Sequence, residues 1–245
     1  MKRVLLQQAY VLHRCAYRET SFLVEIFTVD YGRLTLIARG VRKTRSNMPG
    51  LLQPFVPLLI SWAGKGELMT MTYVEAYGEP KRLGGECLFA GLYLNELLTA
   101  LLQKWDAHTD LYRAYEKTIS ALQGKVLEQK ILRSFEKYLL EELGYGLLPK
   151  SELSLHNMFS SEQYYRFIPE QGFVVSELDT RSQSKSNLFS GASLLAIAKE
   201  DWSHEESVQD AKRLIRFVLT PLLGTRPLYS RLLFKQPHEE SHREE

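Results

Sequence analysis

At 245 residues, 44% of them hydrophobic and 24% charged, the chain is long enough to bury a core as one large domain or two small ones. No apolar run reaches the roughly 18 residues of a membrane-spanning helix, and Gln7-Gln8 interrupts the apolar start after Lys2-Arg3, unlike a secretory leader. The net charge of +2 is unevenly spread, with 10 Lys+Arg against 6 Asp+Glu in residues 1–80 and 21 against 23 in the remainder.

The first eighty residues read as β structure. Expected strands run near Val4–His13, Ser21–Val29, Arg33–Val41, Gln53–Trp62 and Leu68–Tyr77, rich in Val, Ile, Phe, Tyr and Thr and separated by turn signals. Asp30-Tyr31-Gly32 and Gly64-Lys65-Gly66 are tight connections. In the third strand Leu34, Leu36 and Ala38 alternate with Arg33, Thr35 and Ile37. Pro54 and Pro57 mark the fourth as irregular or peripheral. Five strands in this length fit a small closed barrel, of which the OB-fold is the commonest five-stranded form.

After Pro80 the period becomes helical. Glu86–Trp105 is apolar around most of its circumference and is expected to be a buried helix. Helices are also expected over Asp110–Leu122 and Val126–Leu143, the latter stopped by Gly144. Tyr164–Ile168 and Phe173–Val175 read as a hairpin, and Thr180–Asn187 as a loop. Helices near Ala192–Lys199 and Glu205–Leu219 follow, with Ser203 and Glu206 in capping-box register. Residues 237–245 form a charged tail. The expected organisation is a barrel domain over 1–80, a helical domain over 81–236 with a β insertion at about 146–187, and that tail.

Chemical motifs are few. The P-loop, GxGxxG, GxSxG and HExxH patterns are absent. His238 and His242 stand four apart, as helix-borne metal ligands can, but within the acidic tail, where a solvated terminus is the simpler reading. The carboxylates are scattered beside lysines and arginines rather than gathered for two-metal nuclease chemistry. No catalytic residue, cofactor or metal site is expected. Cys15 and Cys87 lie far apart and are expected to be buried free thiols.

The candidate surface is basic. Between Tyr31 and Gly66 no acidic residue occurs, while Arg33, Arg39, Arg42, Lys43, Arg45 and Lys65 do. A segment of one sign attracts phosphate, although a solvated basic loop has the same composition. OB-type barrels hold single strands in a cationic groove with aromatic stacking. Of Tyr10, Phe22, Phe27, Phe55, Trp62, Tyr73 and Tyr77, at most two are expected to stack, since a small barrel must fill its interior.

The residues also resemble a family. Tyr10-Val11-Leu12-His13, Arg18-Glu19-Thr20-Ser21, Ala38-Arg39-Gly40-Val41-Arg42 and Leu52-Gln53-Pro54-Phe55 are similar to the N-terminal signature of RecO. Gly91–Leu98, Leu132-Arg133-Ser134-Phe135-Glu136, Leu143-Gly144-Tyr145-Gly146 and Leu223–Leu228 continue the resemblance in order. It implies an α+β protein: an N-terminal five-stranded OB-fold barrel, then a helical domain with a zinc-ribbon-like insertion. Leu148–Leu178 contains no cysteine, so that insertion would be cysteine-free, without structural zinc, and packed through Tyr164, Tyr165, Phe167 and Phe173.

The resemblance further implies a cytoplasmic, nucleoid-associated DNA repair protein that is not an enzyme. RecO-like proteins bind single- and double-stranded DNA, anneal complementary strands, engage the single-strand-binding protein SSB, and with RecR help load RecA, an indirect partner. For DNA the candidates are Arg39, Arg42, Lys43 and Arg45, then Arg18, Arg33 and Lys65. Arg33 and Arg39 have an alternative as partners of Glu19 or Glu25. For the acidic, apolar-ended SSB tail the candidates lie on one helix: Arg133, Lys130 and Lys137 beside Leu132, Phe135 and Leu139. Arg133 also has an intrahelical alternative in Glu136. A non-catalytic scaffold whose barrel docks repair proteins instead of DNA is the competing reading.

Overall fold

The computed structural model describes residues 2–42, 48–66, 68–169, 171–176 and 185–234. Five strands, β1 (Lys2–Tyr17), β2 (Ser21–Thr28), β3 (Gly32–Ala38), β4 (Leu58–Gly64) and β5 (Met69–Ala76), close into a barrel in the order β1-β2-β3-β5-β4. Neighbours are antiparallel except β3 and β5, which run parallel. β1 extends beyond its expected limits at both ends. Its first half pairs with β4 and its second with β2, with irregularities between Val4 and Gln7 and between Val11 and His13. Such bulges bend a strand, which lets one long segment serve two neighbours.

The alternation read in the third strand holds, with Leu34, Leu36 and Ala38 fully buried and the intervening residues half-buried. With Val24, Ile26, Leu58, Ile60 and Trp62 they fill the barrel. β4 begins only after Pro57, since proline cannot donate to a ladder. A short helix, α1 (Met48–Leu51), precedes it and was not foreseen.

Described residues up to Leu127 and from Arg226 onward make one compact unit, and Glu128–Thr225 makes another. The boundary expected near residue 80 lies inside the first unit. That unit also contains α2 (Gly85–Leu101), α3 (Thr109–Ala121) and the short α8 (Ser230–Leu233). Tyr10 and Phe27, paired across β1 and β2 with side chains outside the barrel core, meet Tyr112 and Tyr115 of α3 with ring centroids 5.3–6.2 Å apart. Asn95 on α2 donates to the Leu12 carbonyl at 3.1 Å and accepts from the Tyr115 hydroxyl at 2.7 Å. Glu96, one residue on, accepts from the Tyr229 and Ser230 backbone N–H groups at 3.1 and 2.9 Å.

The second unit contains α4 (Gln129–Glu142), α5 (Glu152–Met158), the strands β6 (Tyr164–Ile168), β7 (Gly172–Ser176) and β8 (Leu188–Ser190), and the helices α6 (Gly191–Lys199) and α7 (Glu205–Leu223). The hairpin is as expected, but β8 joins it on the other side of β6, in the order β7-β6-β8. The zinc-ribbon-like description is not supported: this region is a helix and a three-stranded sheet around packed aromatic rings. Phe159 stacks edge-on with Tyr165 and Phe173 at 5.0 and 5.2 Å, and Phe189, the middle residue of β8 and paired with Tyr165, is buried. Tyr165 and Phe167 are buried as anticipated, Tyr164 only half.

Two smaller expectations are corrected. Ser203 does not cap α7; its N–H donates to Asp201 Oδ1 at 3.1 Å, and His204 occupies the N-cap without a side-chain bond. Cys15 is exposed rather than buried, because β1 runs on past the barrel wall, while Cys87 is buried; both are free. Most of the loop at Thr180–Asn187 lies outside the described residues, with a 3₁₀ turn at Lys185–Asn187.

Candidate nucleic-acid interface

A cleft of about 740 Å³ opens where β1 turns into β2 beside the end of β3, lined by Tyr17, Arg18, Glu19, Thr20, Ser21, Ile37, Arg39 and Gly40. Arg39, a leading member of the expected basic set, and Arg18, a secondary one, thus line the same cleft, and both are exposed. The turn is held by Arg42, whose backbone N–H donates to the Thr20 carbonyl at 3.0 Å and whose Nη1 donates to the Arg18 carbonyl at 3.1 Å. Arg18 adopts φ +54°, a left-handed conformation that non-glycine residues seldom take.

Arginine and aromatic side chains interleave around the turn, on both faces of the strands. The Arg18 guanidinium lies 5.2 Å from the centre of the Tyr17 ring. Arg14 and Arg42 lie 5.0 and 5.9 Å from that of Phe22. Arg14 and Arg42 also donate from Nη1 to the Pro49 and Arg18 carbonyls, whereas stacking itself positions a guanidinium without using its N–H donors. Arg14 and Tyr17 were not anticipated; both lie beyond His13, where β1 was expected to stop.

Other candidates fall elsewhere. Lys43 and Arg45 lie outside the described residues. Lys65 is exposed on the turn between β4 and β5 and does not line the cleft. Arg33 is a structural residue: it pairs with Glu25, which also accepts from Thr35 Oγ1 at 2.7 Å, and its Nε donates to the Leu102 carbonyl at 3.0 Å. Its side chain is 13% exposed. Arg39 does not share that pairing.

The expected peptide site on α4 is not open. Leu132, Phe135 and Leu139 are at most 3% exposed and belong to the core of their unit, and α4 packs against α7. Arg133 is 5% exposed and forms an ion pair with Glu136 at 2.8 Å. Lys137 bridges Glu141 and Glu200 at 3.2 and 3.0 Å. Lys130 remains exposed and pairs with Glu128 at 2.7 Å. Nearby on α7, burial together with the adjacent Arg216 and Arg133 holds the Lys212 ammonium below its ordinary pKa.

Among the described residues no cluster of three or more His, Cys, Asp or Glu is arranged to hold a metal ion, and no helix is long and apolar enough to cross a membrane. His238 and His242 lie outside the described residues.

The chain matches the family model described as Recombination protein O N terminal over residues 1–78, and that described as Recombination protein O C terminal over residues 84–232. It is 43% identical over 234 residues to a protein named DNA repair protein RecO from Coxiella burnetii (strain RSA 331 / Henzerling II), covering 95% of this chain and 99% of the relative. Proteins of the same name are equally similar: 43% over 232 residues in Pseudoalteromonas atlantica (95% of each chain) and 43% over 241 residues in Cellvibrio japonicus (96% of this chain and 100% of the relative). The chain belongs to the RecO family, and its role lies in DNA repair and recombination.

Proposed function

We propose that the protein is a non-enzymatic recombination mediator whose barrel is of the OB type and binds DNA through the cleft at the β1–β2 turn. The observation that carries this reading is the convergence of exposed Arg18 and Arg39 on a cleft beside the face of β2 and β3. In OB-type barrels that face and the β1–β2 loop are where oligonucleotides bind. The guanidinium groups neutralise phosphates, so binding is largely independent of sequence and falls steeply with salt. Arg42 supports the turn, and Lys43 and Arg45, which follow it in the sequence, are proposed to add phosphate-neutralising charge.

Within DNA repair the protein then binds single- and double-stranded DNA, anneals complementary strands coated with SSB, and with RecR assists RecA loading. None of these steps requires nucleotide hydrolysis. SSB engagement is proposed for the protein as a whole and not for α4, whose apolar residues are core. The test is annealing of complementary strands precoated with SSB, with and without this protein, in the absence of ATP. Acceleration is the expected result. Clean DNA binding without acceleration removes the mediator role and leaves a DNA-binding module. Absence of salt-sensitive DNA binding favours the docking scaffold instead.

A further inference from the structure

We propose that Tyr17 is a base-stacking platform that makes the cleft favour single-stranded nucleic acid over duplex. This rests on the cleft being a nucleic-acid site and names which form of nucleic acid it selects.

The strand registers set the direction of each side chain. Ala16 stands opposite Phe22, and Phe22 opposite Ala38. Residues alternate across a strand, so Phe22 shares the inward face with Val24, Ile26 and Ala38. It packs against the barrel core. Tyr17 pairs with Ser21, one position along, and takes the outward face with Ile37, on which the cleft lies.

The other aromatic rings of the barrel have other positions. Tyr10, Phe27 and Trp62 are fully buried, and Phe55 nearly so. Tyr31 and Trp105 pack on the core beneath the Lys2 ammonium, 5.0 Å from each ring. Tyr73 and Tyr77 are exposed, but their hydroxyls donate to Glu75 and Glu116 and neither lines the cleft. Tyr17 is the aromatic residue of the cleft, half-buried, which anchors the ring while leaving part of it accessible.

The arrangement separates two roles. Phosphates are present in both forms of DNA, so Arg18 and Arg39 serve single strand and duplex alike. An unpaired base offers an open π-face to Tyr17, whereas bases within a duplex are already stacked on one another. The exposed Arg18 guanidinium, 5.2 Å from the centre of the Tyr17 ring, stands where the phosphate adjoining a stacked base would meet it.

The test uses the full chain and measures equilibrium affinity for oligo-dT and for a mixed-sequence duplex of equal length. Tyr17→Ala is expected to weaken oligo-dT binding about tenfold while changing duplex binding less than about twofold. Tyr17→Trp is expected to retain both affinities, and Tyr17→Leu, which keeps apolar bulk without a π-face, to behave as Tyr17→Ala. The Leu–Trp comparison stands even if Tyr17→Ala melts early. Unchanged oligo-dT affinity in Tyr17→Ala and Tyr17→Leu, or an equal loss on both DNA forms, overturns the proposal. A parent protein that binds neither form overturns the cleft reading itself, a result distinct from a failure at Tyr17 alone.

Discussion

Arg133 and Glu136 face one another across a single turn of α4, with their charged groups 2.8 Å apart and side chains 6% and 1% exposed. A buried pair of this kind contributes modestly over apolar residues of the same size, but removing one member is costly because the other keeps its charge in the core with less compensation. Arg133→Ala is therefore expected to lower unfolding free energy by about 3–5 kcal/mol, and the double replacement Arg133→Met with Glu136→Leu to recover most of it. Denaturant unfolding measures both. A folded, equally stable Arg133→Ala protein that had lost binding to an SSB-tail peptide would instead assign Arg133 to recognition.

That pair also shows what periodicity alone could tell. Leu132, Phe135 and Leu139 share one face of α4 as their spacing predicts, but period does not reveal whether a face meets a partner protein or the chain's own core. Here α7 supplies the answer. The barrel strands were legible because Leu34, Leu36 and Ala38 repeat every second residue and glycine-containing turns separate the runs. The end of β1 is not legible: Arg14 to Tyr17 pairs with β2 alone, beyond the irregularity between Val11 and His13, and shows no alternation of apolar and polar residues. Phe159 and Phe189 were missed for a related reason. Each enters the aromatic core from a segment too short to show a period of its own.

Gly32 and Gly40 make a controlled comparison at the two ends of β3. Both have positive φ, +63° and +69°. A Cβ on Gly32 would fall 1.7 Å from the Asp106 carbonyl oxygen, whereas one on Gly40 meets nothing within 4 Å. Gly40→Ala is expected to cost about 1–2 kcal/mol from the left-handed conformation alone. Gly32→Ala adds a backbone clash, and its thermal midpoint is expected to fall well below that of Gly40→Ala. Equal midpoints would show that the 103–108 segment yields without cost.

The tyrosines at the base of the barrel predict an alkaline limit to stability. Tyr10, Tyr112 and Tyr115 are at most 1% exposed, and burial pushes each phenol above its ordinary pKa, reinforced at Tyr10 by the Glu116 carboxylate. Because the folded-state values are raised, the unfolded chain releases these protons first, from about pH 10. Stability is full below that pH and falls above it, by up to about 1.4 kcal/mol per pH unit for each tyrosine. Unfolding midpoints between neutral and strongly alkaline pH should drop with increasing slope, and Tyr115→Phe should make the drop shallower. An identical slope in that variant would place the alkaline transition elsewhere.

The arginines of the barrel divide into two kinds, and salt dependence separates them. Arg18, Arg39 and Arg42 are exposed, whereas Arg33 is committed to Glu25 and the Leu102 carbonyl. Replacing the first three with Ala should weaken binding to all DNA sequences alike and flatten the slope of log K against log salt by about two to three units. Arg33→Ala should leave the slope unchanged while lowering the thermal midpoint, since it unpairs Glu25 inside the barrel wall. Titrations at several salt concentrations read both. An unchanged slope in the triple variant would mean that phosphates do not pass through the cleft. A flattened slope in Arg33→Ala would mean that the Glu25 pair opens to admit them.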